Sequence, residues 1–154
     1  MNKIFIEQVK AIYDPTLPDI SNISNLLALC FYAYDDINWI GLYYCNNQSN
    51  ECTLGPFQGK VACTRIPFSK GVIGKTIQTK QTLIVNDVHQ FKNHIACDSN
   101  TNAEMVIPLF DKDQQIIAVL DIDSLSLNYF DKDKTDTFEC VASFFTKLVS
   151  NHKL

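Results

Sequence analysis

One cysteine sits among residue types that favour loops: Cys97 lies in "HIACDS" at 94–99. Cysteine is among the most buried residue types, so a thiol set in a polar stretch where water and oxidants reach it raises the question of nucleophilic or redox chemistry. Carboxylates supply a second group. A strand over 115–123 alternates so that Asp121 and Asp123 share one face, about 6.6 Å apart along the strand at ~3.3 Å per residue. Each charge there disfavours ionisation of the other, so a positive partner or a shared proton must compensate them. A neighbouring strand over 103–110 turns Met105, Ile107 and Leu109 away from Glu104, which brings a third acid to the same edge. A strand over 38–45 turns Trp39, Gly41 and Tyr43 to one side. A pocket walled by an indole and a phenol and floored by carboxylates suits a small cation or zwitterion. Plainer readings compete: acids at a strand end are often merely solvated, and Trp39 and Tyr43 on pattern alone are more often core than ligand wall.

The elements that must carry these residues follow from periodicity. Residues 20–34 place Ile23, Leu27, Cys30, Phe31 and Tyr34 at helical spacing, with Ser21 or Ser24 as N-cap. The tail from 136 places Phe138, Val141, Ala142, Phe145, Leu148 and Val149 on one side of a second helix, with Cys140 next to that face. Between them, 38–45, 52–57, 82–87, 103–110 and 115–123 read as strands. "NNQSNE" and "DKDQ" are connections of hairpin length, which implies antiparallel neighbours. A helix follows "SKG" through "GVIGKTIQTK". The polar piece from about 86 to 102 is too long for an ordinary connection and is a functional loop candidate. The fold class expected is α+β, one domain over 1–154.

Composition narrows the function classes. The chain has 154 residues, 46% hydrophobic, with a formal net charge of −4, which gives no clustered basic footprint for nucleic acid. "MNKIFIEQVKAIYD" lacks the apolar core of a secretory signal, and no run approaches a membrane span. A soluble cytoplasmic protein is expected, so most of the six cysteines should be thiols. Cys63, His94 and Cys97 make a weak zinc set, and no spacing matches a structural zinc site. No cofactor or metal is called for.

The segments "NWIGLYY", "LGPFQGKVACTRIPFSKGVIG", "VNDVHQF", "HIACDS", "AEMVIPLF" and "VLDIDS" resemble, in order and spacing, the free methionine-(R)-sulfoxide reductases, stand-alone GAF-domain enzymes. The likeness runs from about Asn38 to the C-terminal helix. It implies a GAF-like fold: a central, mostly antiparallel sheet, N- and C-terminal helices packed on one face, and loops covering a pocket on the other. It implies Cys97 as nucleophile and Cys63 as the cysteine that forms the disulfide with it. It implies Glu104, Asp121 and Asp123 as substrate-binding acids and Trp39 and Tyr43 as the aromatic wall. Either Glu104 or Asp123 is favoured as proton donor to the sulfoxide oxygen, and Asp121 as the ammonium site. The family usually has a third cysteine where this chain reads "SKGVIG", so Ile73 removes an alternative resolving thiol. The implied partners are free methionine-(R)-sulfoxide and a thioredoxin-type reductant, and a homodimer is a common assembly. Cys30 and Cys140 should be dispensable, and Cys45 and Cys52, near a hairpin, could pair under oxidation but should be passive in the reaction. A non-catalytic GAF module that binds a small ligand is the competing reading. It explains the pocket equally well but not the two loop thiols.

Overall fold

The computed structural model describes residues 1–92 and 98–150. Its centre is one six-stranded sheet, wholly antiparallel, in the order β3-β2-β1-β6-β5-β4. The strands are β1 (Ile37–Asn46), β2 (Glu51–Gly59), β3 (Arg65–Pro67), β4 (Leu83–Val85), β5 (Ala103–Phe110) and β6 (Ile116–Ser124). Two of the pairings are hairpins closed by local chemistry. In the β1–β2 turn, the Asn46 side chain accepts from the amides of Gln48 and Ser49, and Asn50 takes the left-handed conformation with φ 53°. In the β5–β6 turn, Asp111 accepts from the amides of Asp113 and Gln115 while Gln114 has φ 60°. The central β1–β6 pairing joins the hairpins across most of the chain.

The two sheet faces bury different things. Helices α1 (Lys3–Ile12), α2 (Asp19–Ala33) and α4 (Lys132–Ser150) bury Phe5, Val9, Leu26, Leu27, Phe138 and Phe145 against Ile40, Leu42, Met105, Ile107, Leu120 and Ile122. Helix α3 (Gly71–Thr79) lies on the other face, where Val72 and Ile73 join Trp39, Tyr43, Cys52, Ile66, Val106 and Val119 in a second apolar cluster. The alternation expected of β1, β5 and β6 therefore holds. Nearly all the apolar positions assigned to one side go to the helical core, and the acids go to the other.

Four local expectations need correction. Helix α1 lies outside the elements that periodicity predicts. Its signal is Asn2, whose side chain accepts from the Phe5 amide at 3.1 Å, ahead of Phe5, Ile6 and Val9 on one face. Strand β3, three residues long, is also outside them, since its pairing with β2 is decided by tertiary contact rather than by period. Helix α2 is capped at Pro18 and not at Ser21 or Ser24: the Pro18 carbonyl accepts from the Ser21 and Asn22 amides, and no side chain caps the helix. Asn22 instead turns inward, where it exchanges hydrogen bonds with the Asp14 backbone at 2.8 and 2.9 Å and so satisfies a buried amide. Lastly, strict alternation along 115–123 predicts Ile116 on the side of Ala118, Leu120 and Ile122, but it packs with the α3 cluster, because an irregularity opposite Leu109 and Phe110 skips Ile117 and reverses the alternation.

Candidate active site

The register of three adjacent strands assembles the acids. Trp39 on β1 lies opposite Asp123 on β6, and Asp123 lies opposite Glu104 on β5, so the three form one row across the sheet. The next row holds Gly41, Asp121 and Val106. Glu104, Asp121 and Asp123 offer carboxylate oxygens that all lie within 4.8 Å of one another. Glu104 and Asp121 are 6% and 7% exposed, too little for water to neutralise their charges. Burial holds all three carboxyls well above the ordinary carboxylate range, and mutual repulsion adds to it: Asp123 acts on Glu104, Glu104 on Asp121, and Asp121 on Asp123. A hydrogen bond between Glu104 and Asp121 works in opposite directions on the two, favouring the proton on Asp121. The Oδ1 atom of Asp121 is buried with no hydrogen-bond partner among the described residues. Such an oxygen is costly unless a ligand donates to it.

The aromatic wall is built by a missing side chain. At Gly41, any Cβ would run into the Trp39 ring and the Phe57 Cβ, so glycine lets the indole lie flat along the sheet. Trp39 stacks on Phe57 with centroids 5.4 Å apart and on Tyr43 at 5.8 Å. Both rings also reach across to the segment that carries Cys63. The Trp39 indole N–H donates to the Lys60 carbonyl at 3.0 Å, and the Tyr43 hydroxyl donates to the Cys63 carbonyl at 2.9 Å. Burial, followed by the neighbouring acids, holds the Tyr43 phenol up and keeps it a donor. Trp39 and Tyr43 are core residues by burial, 4% and 1% exposed, and also line the cavity.

That cavity has about 570 Å³ of empty space including its mouth. The acids and the two rings line it from the sheet, Val72 and Ile73 from α3, and Lys60 and Asp98 at the rim. Ile73, where the family's third cysteine is usual, is therefore an apolar wall residue, 3% exposed. At the rim, Asp98 is held by Lys60 at 3.4 Å and by the Asn38 amide at 3.4 Å, and the same amide donates to Thr101 at 3.0 Å. The Asn100 amide and Lys60 keep the Asp98 carboxyl below its usual range. Sequence reasoning missed Lys60, Asn38 and Thr101 at the site, because polar loop residues carry no period that would mark them.

Cys63 is disulfide-bonded, whereas Cys30, Cys45, Cys52 and Cys140 are free thiols. Burial pushes the Cys30 thiol up to about 12, which suits a core residue and not a nucleophile. Cys97, the implied nucleophile, and His94, the remaining member of the weak zinc set, lie outside the described residues. The three carboxylates form an oxygen-only donor set that suits a hard cation, and equally a substrate ammonium. Among the described residues, no helix is long and apolar enough to cross a membrane.

A sheet with this order, helices on one face and an acid-and-aromatic cavity on the other, defines a GAF domain, and the GAF family model matches residues 10–147. Within that class, the chain is 42% identical over 133 residues to the free methionine-R-sulfoxide reductase of Saccharomyces cerevisiae, covering 83% of this chain and 74% of that one. It is 44% identical over 124 residues to the enzyme of the same name from Escherichia coli, covering 80% and 73%. The structure of free methionine-R-sulfoxide reductase from Neisseria meningitidis in complex with its substrate superposes with a TM-score of 0.86 at 35% identity, covering 97% of this chain and 89% of that one. The chain belongs to the free methionine-R-sulfoxide reductase family.

Proposed function

We propose that this chain reduces free methionine-(R)-sulfoxide to methionine, with the substrate ammonium on the acid cluster and its sulfoxide beside the aromatic wall. The observation that carries the reading is the buried oxygen of Asp121, unpartnered among the described residues, inside a cavity floored by two further acids with raised affinity for protons. Three carboxyls in so little space cannot all ionise, so one can bind a cation while another keeps a proton near neutral pH. This division of labour is what a zwitterionic sulfoxide requires.

The Cys97 thiolate attacks the sulfoxide sulfur, and Glu104 or Asp123 gives its proton to the oxygen, which is otherwise a poor leaving site. The oxygen ends on the cysteine as sulfenic acid and methionine departs. The Cys63 thiol then attacks the sulfenic sulfur, water leaves, and a disulfide forms that a thioredoxin-type dithiol reopens by exchange. Three observations support the role of Cys63: it is already in a disulfide, it flanks cavity-lining residues, and its backbone is tied to the aromatic wall through Tyr43. Such recycling belongs in a reducing compartment such as the cytoplasm.

The deciding assay follows loss of free methionine-(R)-sulfoxide with a thioredoxin system. Wild type should turn over and Cys97→Ser should not. Cys63→Ser should complete a single turnover and stall with thioredoxin as reductant. Mapping after substrate exposure without reductant should find Cys63 joined to Cys97. Tight binding without turnover in wild type would point instead to a ligand-sensing GAF module.

A further inference from the structure

Beyond the acid row, toward the turn of the β1–β2 hairpin, two free thiols face each other. Cys45 and Cys52 are direct cross-strand partners, and their Sγ atoms lie 3.0 Å apart. Opposed residues of antiparallel strands have Cα atoms roughly 4.5 to 5.5 Å apart, within the roughly 4.4 to 6.8 Å that a disulfide spans. The ladder continues on either side through Tyr44 with Thr53 and Asn46 with Glu51, so the two backbones are held at that spacing.

We propose that Cys45 and Cys52 form a second thiol–disulfide couple, separate from the cysteines of the reductase cycle, which a hydroperoxide closes into a cross-strand disulfide and a dithiol reopens. Access sets the order of events. Cys52 has no exposed surface, while Cys45 is partly exposed. Oxidation starts at Cys45: its sulfur attacks one peroxide oxygen, the O–O bond breaks, and the other oxygen leaves with a proton as water or alcohol. Cys45 is then a sulfenic acid. The Cys52 sulfur displaces that hydroxyl, the S–S bond forms as the S–O bond breaks, and the Cys52 proton leaves with the hydroxyl as water. The two thiols together lose two electrons, which the peroxide takes up. The hydrogen bond with Cys45, and then burial, hold the Cys52 thiol up, so it keeps its proton until a sulfenic acid forms beside it. A resolving partner in van der Waals reach also stops Cys45 from climbing to the sulfinic acid.

The test uses the reduced full-length protein and its Cys63→Ser variant, each treated with a small excess of hydrogen peroxide, alkylated after denaturation, and digested with trypsin plus a Glu-specific protease. Cleavage at Glu51 and Lys60 leaves Cys52 as the sole cysteine of peptide 52–60. In both proteins that peptide should be linked to Cys45 and released by dithiothreitol, with Cys30 fully alkylated. In Cys52→Ala, Cys45 should be trapped by dimedone and yield on the order of tenfold more sulfinic acid than in wild type. Cys45 and Cys52 both alkylated after peroxide, Cys45 linked to another cysteine, or equal sulfinic acid with and without Cys52 would each overturn the proposal. Reductase activity is not read in this experiment, so the proposed function can fail or stand independently of it.

Discussion

Glu104, Asp121 and Asp123 bind their protons more tightly in the folded chain than in the unfolded one. The sign of the linkage follows. A carboxyl with a raised folded-state pKa makes the native state bind more protons, so stability is greatest below its unfolded value near ~4 and declines as pH rises above it. Each proton so retained is worth up to about 1.4 kcal/mol per pH unit across that window. Replacing Glu104 with Gln should therefore raise the melting temperature relative to wild type, and by more at pH 8 than at pH 5. A constant difference across that range would mean that Glu104 titrates normally. Tyr43 makes a narrower case. Tyr43→Phe keeps the ring but removes the hydroxyl that donates to the Cys63 carbonyl at 2.9 Å, costing about 1 kcal/mol. Disulfide formation after a single turnover should slow while substrate KM changes little. A raised KM with disulfide formation unslowed would assign the hydroxyl to substrate binding instead.

At the scale of elements, β1 does most of the positioning. One face of it feeds Ile40 and Leu42 to the helical core, and the other presents Trp39, Gly41 and Tyr43 to the cavity. Glycine between two large rings is a packing requirement, since a Cβ there meets both Trp39 and Phe57. Gly41→Ala should cost ~1–3 kcal/mol by overpacking, tilt the indole and raise KM for the sulfoxide. Trp39 is the only tryptophan in the chain, so its fluorescence maximum reports the tilt directly. An unshifted maximum with unchanged KM would show that the wall adapts. The alternation behind this arrangement was readable in the sequence because strand period is a local property. The flat lie of Trp39 over Gly41 was not, because it depends on Phe57 arriving from the neighbouring strand.

The molecule as a whole separates two tasks by the two faces of one sheet. Leu26 is fully buried among the helices on the face opposite the cavity. Leu26→Ala should cost ~2–5 kcal/mol and lower the denaturation midpoint, yet leave KM near its wild-type value at temperatures where the protein stays folded. A large KM effect would mean that the helical core and the acid row are coupled through the sheet. Helix α3 serves the opposite purpose. It covers the site face, and Val72 and Ile73 close the cavity that the strands alone would leave as an open floor.

What the sequence by itself determined is whatever repeats over a few residues. The acid-bearing faces of β5 and β6, the stripe of Phe138, Val141, Phe145 and Leu148 on α4, and both hairpins belong to that class. Side-chain alternation, helical period and turn residues all act locally, so they leave a mark in the chain itself. Only the tertiary structure decided that β6 pairs with β1, which brings Trp39 beside Asp123. It alone decided that Trp39 and Tyr43 hold residues 60 and 63 by their carbonyls. Those contacts close between segments whose spacing along the chain carries no period, and their energy appears only once the strands are packed.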